Sequence, residues 1–245
     1  MFVALLIMAA IGIAAGFVLD AAIVRLAREP YERGELDEDD ARLTPGAPRP
    51  LELKSETGAL AMPQLLTERS SYRKAAVVAV TAGLFALVGL RYAGEPTYMA
   101  IVAAYTAVFI VCTGTDLLAY RVPNVVTYPA IVAALLIGAV LPDANWRSVF
   151  AGGLVFGGIL FLLSVLTGGA MGMGDVKLAF FVGLALGLLL VVPAMLVMAI
   201  SGGLAAVVLL VSRLRGRGDP IPYAPFISGG AVLVMLVQGT AFYSI

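Results

Sequence analysis

The sequence has no histidine and a single cysteine, Cys112, in 245 residues. Serine–histidine–aspartate triads, cysteine–histidine pairs, HExxH zinc sites and Cys/His zinc clusters are therefore impossible within it. One thiol makes no internal disulfide, and Cys112 lies in an apolar run, where it reads as a packed core residue. Charge is scarce too. Asp, Glu, Lys and Arg make up 13% of the chain and apolar residues 61%, with a mean hydropathy of +0.99. A soluble domain is about a quarter charged and about 45–50% apolar, so a soluble globular fold is excluded. The formal net charge is zero, which gives no reason to expect a nucleic-acid partner. Any hydrolytic chemistry has to rest on carboxylates, lysine or hydroxyls.

What is present is a series of long apolar runs. A hydrocarbon core about 30 Å thick takes about 20 apolar residues as a helix. Eight runs qualify, at 2–24, 75–91, 97–115, 125–141, 149–167, 176–191, 193–212 and 225–244. Turn chemistry falls between them at Gly94–Pro96, Pro123-Asn124, Pro142-Asp143, Gly168-Gly169 and Gly216–Pro222. The break at Pro193 has no polar residue, which leaves seven spans as the alternative. The expected fold is an all-α polytopic membrane protein, a bundle of about eight transmembrane helices embedded in the lipid bilayer. Residues 1–24 form the first helix, 25–74 a long cytosolic loop and 75–245 the main bundle.

Charge sets the orientation. Of 32 charged residues, 19 lie between Arg25 and Lys74. With the N-terminus outside, 14 Lys/Arg fall on inner loops and two, Arg91 and Arg147, on outer ones. The first run has no basic residue before it and Arg25 and Arg28 after it, so it reads as a retained helix and not as a cleaved signal. The loop holds five prolines among mixed charge, few aromatics and little periodicity, which suggests a loosely structured segment. Its acidic stretch Glu35–Asp40 reads as solvated charge. Glycines spaced four apart, Gly153 with Gly157 and Gly183 with Gly187, read as close helix contacts.

Carboxylates near apolar runs need a reason, because an ionised aspartate at mid-bilayer costs about 2.5–3.5 kcal/mol. Asp20, Asp116 and Asp175 qualify. In this topology Asp116 and Asp175 end at the same, cytosolic depth. Each has an ordinary alternative: an N-cap for Asp175, and an interfacial position or a pairing with Arg121 for Asp116. Gly172 and Gly174 permit close backbone approach and φ > 0, as a substrate strand beside the aspartate would require. Two carboxylates that meet share a proton; the ionised one takes a proton from water and the protonated one polarises a scissile carbonyl. Such a pair needs no metal and no histidine.

Gly172-Met173-Gly174-Asp175 is the GxGD motif of intramembrane-type aspartyl proteases. With Val176-Lys177-Leu178-Ala179 after it and Asp116, Arg121, Pro123 and Asn124 upstream, it resembles the type IV prepilin peptidase branch. Ile221-Pro222-Tyr223-Ala224-Pro225-Phe226 is similar to that family's IPFGPF stretch, with Tyr223 and Ala224 departing from it. Asp20-Ala-Ala-Ile-Val-Arg25 resembles its NVVxxR segment, with Asp20 in place of Asn. Thr115, not tyrosine, precedes Asp116, which separates the chain from signal peptide peptidases and presenilins. The resemblance implies that Asp116 and Asp175 are catalytic, supported by Gly172, Gly174, Lys177, Arg121, Pro123, Asn124, Pro222 and Pro225. It implies cleavage of the short basic leader of type IV prepilins or pseudopilins, after a glycine, at the cytosolic face of a prokaryotic inner membrane.

Proteolysis by such a pair requires no cofactor. Many members also methylate the new N-terminus with S-adenosylmethionine and carry two CxxC zinc pairs in the loop; those cysteines are absent here, so no metal is expected and methylation stays open. Lys177 reads otherwise as an interfacial lysine, Arg121 as an inner anchor and Asp20 as an interfacial residue. Two further functions remain as alternatives: a small ion- or proton-coupled transporter, disfavoured by the lack of an internal repeat, and an inactive assembly scaffold.

Overall fold

The computed structural model describes residues 2–33, 70–168, 171–212 and 221–239. These form seven helices and no strand: α1 Phe2–Arg33, α2 Ser70–Arg91, α3 Pro96–Ala119, α4 Asn124–Val140, α5 Trp146–Leu166, α6 Met173–Val211 and α7 Ala224–Gln238. Five of them, α1, α2, α3, α5 and α6, are long and apolar enough to cross a membrane. The apolar α4 and α7 are shorter, at 17 and 15 residues. The protein is thus an all-helical membrane protein. Helix α1 runs on to Arg33 and α2 starts at Ser70, so both ends of the segment 25–74 are helical. The acidic stretch Glu35–Asp40 and the end of the last apolar run lie outside the described residues.

Local chemistry sets the helix ends. Pro96 opens α3, where its missing N–H costs nothing. Asn145 caps α5, its side chain accepting the Ser148 N–H at 3.3 Å. The Pro123 carbonyl accepts both the N–H and, at 2.8 Å, the hydroxyl of Thr127, which starts α4.

The break placed by sequence at Pro193 is instead at Gly187, while Pro193 lies within α6. Gly187 has φ 74° and ψ 174°, a conformation open essentially to glycine alone. The interruption frees the Leu188 N–H, which donates to Ser148 Oγ at 3.0 Å. The two sides of Gly187 pack on different helices. Before Gly187, Phe180 lies against Gly157 and Gly183 against Gly152, antiparallel to α5. After it, Ala194 lies against Gly230 and Gly202 against Phe226, antiparallel to α7. A straight helix would carry residue 202 about 40 Å from residue 175, yet Phe226 shares a helical turn with Ala224, which bonds Asp116.

The first half of α6 is the centre of the bundle: Leu178, Ala179, Phe181, Val182, Leu184 and Ala185 are fully buried. The glycine spacing read from sequence does what small residues allow. A Cβ on Gly157 would stand 2.8 Å from Phe180 Cβ, so any larger residue would push α5 off α6. On the other side Phe181 meets Tyr105 and Phe109 of α3, each at 5.3 Å between ring centroids. Helices α1 and α2 pack through Gly12 and Gly16, whose absent Cβ atoms admit the backbone of Ala82 and Val78. Ile23 of α1 presses on Gly114, joining this pair to α3 just before Asp116.

Candidate active site

Asp116 lies in the last turn of α3. The helix stops at Tyr120, which adopts a left-handed conformation (φ 51°) and returns its N–H to the Asp116 carbonyl at 2.8 Å. The chain then passes through Arg121, Val122 and Pro123 into α4, and this turn leaves the Asp116 side chain directed inward and 5% exposed. Its Oδ2 accepts the backbone N–H of Ala224 at 3.0 Å. Residue 224 opens α7, so the carboxylate stands at a helix N-terminus, where unsatisfied N–H groups and the helix dipole favour negative charge. The first turn of α7 has little else to offer. Pro225 has no N–H, and the Phe226 N–H turns back to the Tyr223 carbonyl at 3.0 Å.

Asp175 is the third residue of α6. The N-cap is Gly172, so Asp175 does not cap this helix; its own N–H bonds the Gly172 carbonyl at 3.1 Å. Its side chain is 9% exposed, and its Oδ1 is buried with no hydrogen-bond partner. A buried polar atom left unpaired is costly, which marks this oxygen for something other than structure. The charge of Asp116 acts on Asp175, placing the two carboxyl groups in each other's field. What brings them together is a steric fit: a Cβ on Gly174 would stand 3.0 Å from Val122 Cβ, so Gly174 lets the start of α6 seat against the turn that follows Asp116.

The two motif glycines therefore differ. Gly172 has φ −67°, and a Cβ there would stand an ordinary 3.9 Å from Asp175 Oδ2; neither glycine has positive φ. The φ > 0 allowed for at these positions is not used. Gly174 supplies close approach, to Val122 of this chain. Lys177, half-buried, donates to Asn124 Oδ1 at 3.1 Å, and its Nζ lies 5.2 Å from the Tyr128 ring centre. It ties α6 to the first two turns of α4 through the Asn124 of the upstream motif. Pro123 is buried as the N-cap of α4, and Arg121 is half-buried on the turn before it. Pro222 and Pro225 flank the Tyr223-Ala224 pair that reaches Asp116.

Asp20 is not at this site. It is 3% exposed and takes Arg73 of α2 on both oxygens, at 2.9 and 3.4 Å. Asp20, read from sequence as an interfacial residue, forms a buried ion pair between α1 and the first turn of α2. Cys112 is fully buried one turn before Asp116, the packed thiol that its apolar run suggested. Three features escaped the sequence reading: the Arg73 partner, the Ala224 N–H and Ser228. Ser228 lies one turn beyond Ala224, buried, with an unpartnered hydroxyl. By contrast Thr81, Thr106, Thr115 and Ser201 each bond a carbonyl one turn back. A backbone N–H leaves no mark in a sequence, and a lone serine leaves very little.

Residues 103–210 match the model of the type IV leader peptidase family, a stretch that includes both aspartates. No solved structure matches. A prepilin leader peptidase/N-methyltransferase of Bacillus subtilis (strain 168) is 32% identical over 174 residues, covering 69% of this chain and 67% of that protein. With two buried carboxylates from separate motifs set in one another's field inside the matched region, the chain belongs to the type IV leader peptidase family.

Proposed function

We propose that the protein removes the short basic leader of type IV prepilins or pseudopilins, cutting after a glycine at the cytosolic face of an inner membrane, with Asp116 and Asp175 as the catalytic pair. The observation that carries this reading is the presence of two buried carboxylates within one another's electrostatic reach, one held by the α7 N-terminus and one with a bare oxygen. One carboxylate takes a proton from a water whose oxygen attacks the scissile carbonyl carbon, while the protonated partner hydrogen-bonds the carbonyl oxygen. Collapse of the tetrahedral species breaks the C–N bond and a proton passes to the departing amine, giving a leader carboxylate and a new N-terminus. Water is the nucleophile and no acyl-enzyme forms. The two carboxyls titrate as one unit, so the rate has a bell-shaped pH dependence whose limbs belong to the pair.

The break at Gly187, after which the chain brings Gly202 back against Phe226 near Asp116, supports eight crossings, with α6 contributing two. With the N-terminus outside, that count puts both aspartates at the inner membrane edge, where a leader remains in the cytosol while the rest of the substrate helix stays in lipid. Among the described residues, the buried polar side chains apart from the aspartates are hydroxyls. No methyl-transfer step is derived.

The test is cleavage of a full-length prepilin by purified protein in lipid, read by mass, for wild type, Asp116→Asn and Asp175→Asn. Cleavage after glycine that is lost in both folded variants is expected, and adding S-adenosylmethionine reads out methylation in the same run. Cleavage retained in either variant overturns the assignment of the pair.

A further inference from the structure

We infer that the N-terminus of α7 is the positioning element for the catalytic pair, with the Ala224 N–H as the group that holds Asp116; this rests on the proposed aspartyl chemistry. The two carboxylates are supported very differently. Asp175 rises from the first turn of α6, where backbone bonding and the fit of Gly174 on Val122 fix its helix but no bond holds its Oδ1. Asp116 stands at the opposite kind of helix end, the C-terminal turn of α3, where the dipole disfavours a negative charge. The opposing N-terminus of α7 answers that with a donor of the required sign.

The local sequence makes this donor singular. Ala224 is the first residue of α7, so its N–H has no partner within the helix. Pro225 removes the next donor and the Phe226 N–H is spent on Tyr223. One hydrogen bond therefore falls on one carboxylate oxygen, Oδ2, and it fixes the plane of Asp116. A backbone N–H can only donate, and an unprotonated carboxyl oxygen accepts it better than a protonated one, so the contact at Oδ2 favours the shared proton on Asp116 Oδ1 or on Asp175. This divides the labour. Asp116 is held still by the last helix, and the unpartnered Asp175 Oδ1 is the oxygen offered to the substrate. The PYAPF segment thereby acts on the chemistry from outside the region matched by the family, through its backbone. That also explains why alanine serves at position 224: any residue but proline supplies the same N–H.

The experiment replaces the residue-224 amide by an ester, with lactic acid in place of Ala224, in the full-length protein in lipid; Ala224→Gly, which keeps the N–H, is the control. Against a prepilin substrate the ester is expected to lower kcat about tenfold or more, the value of one hydrogen bond to a charged group. KM should stay within about twofold, because uniform substrate binding is untouched. The ester's kcat is expected to fall well below that of Ala224→Gly, which keeps the donor. A kcat for the ester equal to wild type overturns the inference, as does a loss of equal size in Ala224→Gly. Should the ester protein fail to fold, the amide proton of 15N-labelled Ala224 decides: it is expected downfield and displaced in Asp116→Asn, and a resonance unmoved by that change overturns the inference. Failure of the wild type to cleave any prepilin, or cleavage by Asp116→Asn, would overturn the proposed function itself and is read separately.

Discussion

Two parts of this bundle bury aspartate in apolar helices and treat it in opposite ways. Between α1 and α2, Asp20 is matched by a guanidinium on both oxygens, with side chains 4% and 17% exposed. At the meeting of α3, α6 and α7, Asp116 receives a single backbone N–H, and Asp175 has a bare oxygen and the charge of Asp116 for company. A buried charge with a fork-shaped partner is at rest, because its lone pairs are filled and its field is cancelled. A buried carboxylate without a cation is poised to exchange a proton. Burial alone does not separate a structural aspartate from a chemical one; the partner does.

The sharpest way to break that comparison is to neutralise each carboxylate in turn. Asn at 116 or 175 is expected to cut the leader-cleavage rate on the order of a thousandfold or more while leaving helix content intact; cleavage assays beside circular dichroism check this. Asn at 20 should do the reverse. It removes the Asp20 charge from a buried ion pair and lowers stability by up to about 3 kcal/mol, with kcat of the folded fraction unchanged. Unfolding in mixed detergent measures the first and burst-corrected kinetics the second, and the exchange Asp20→Arg with Arg73→Asp should recover part of the loss.

Smaller changes sharpen the contrast. Gly174→Ala forces Val122 to yield by a few tenths of an ångström. We expect about 1–2 kcal/mol of destabilisation and a several-fold fall in kcat, since the same fit aligns the pair. Gly172→Ala, whose Cβ would meet Asp175 Oδ2 only at an ordinary 3.9 Å, should cost far less stability. Smallest of all, Ser228→Ala removes a buried hydroxyl that has no partner, and thermal scans should show stability unchanged or raised by up to about 1 kcal/mol.

Much of this was legible without coordinates. Composition alone fixed a membrane bundle, because no other solvent tolerates so many apolar residues and so little charge. The glycines spaced four apart told of close helix packing, and Gly153 and Gly157 do pack on Leu184 and Phe180. The Asp116 and Asp175 motifs were legible as a candidate site, since they couple rare polar residues to glycine and proline punctuation in an apolar background. The chain break was misplaced because proline is the louder signal, whereas Gly187 sits in an unbroken apolar run where only its dihedral angles reveal it. Asp20 was left without its partner for a similar reason. Its partner is 53 residues away, and no local pattern announces an ion pair formed across two helices.

The sequence by itself thus determined the solvent, the helices and the inventory of reactive groups, because those follow from local composition and from residue types that are present or missing. The tertiary structure decided which carboxylate has a cation, which has an amide and which keeps a bare oxygen. It does so because helix ends far apart in the chain are brought to one point, and the groups that answer each other there include backbone atoms that every residue shares.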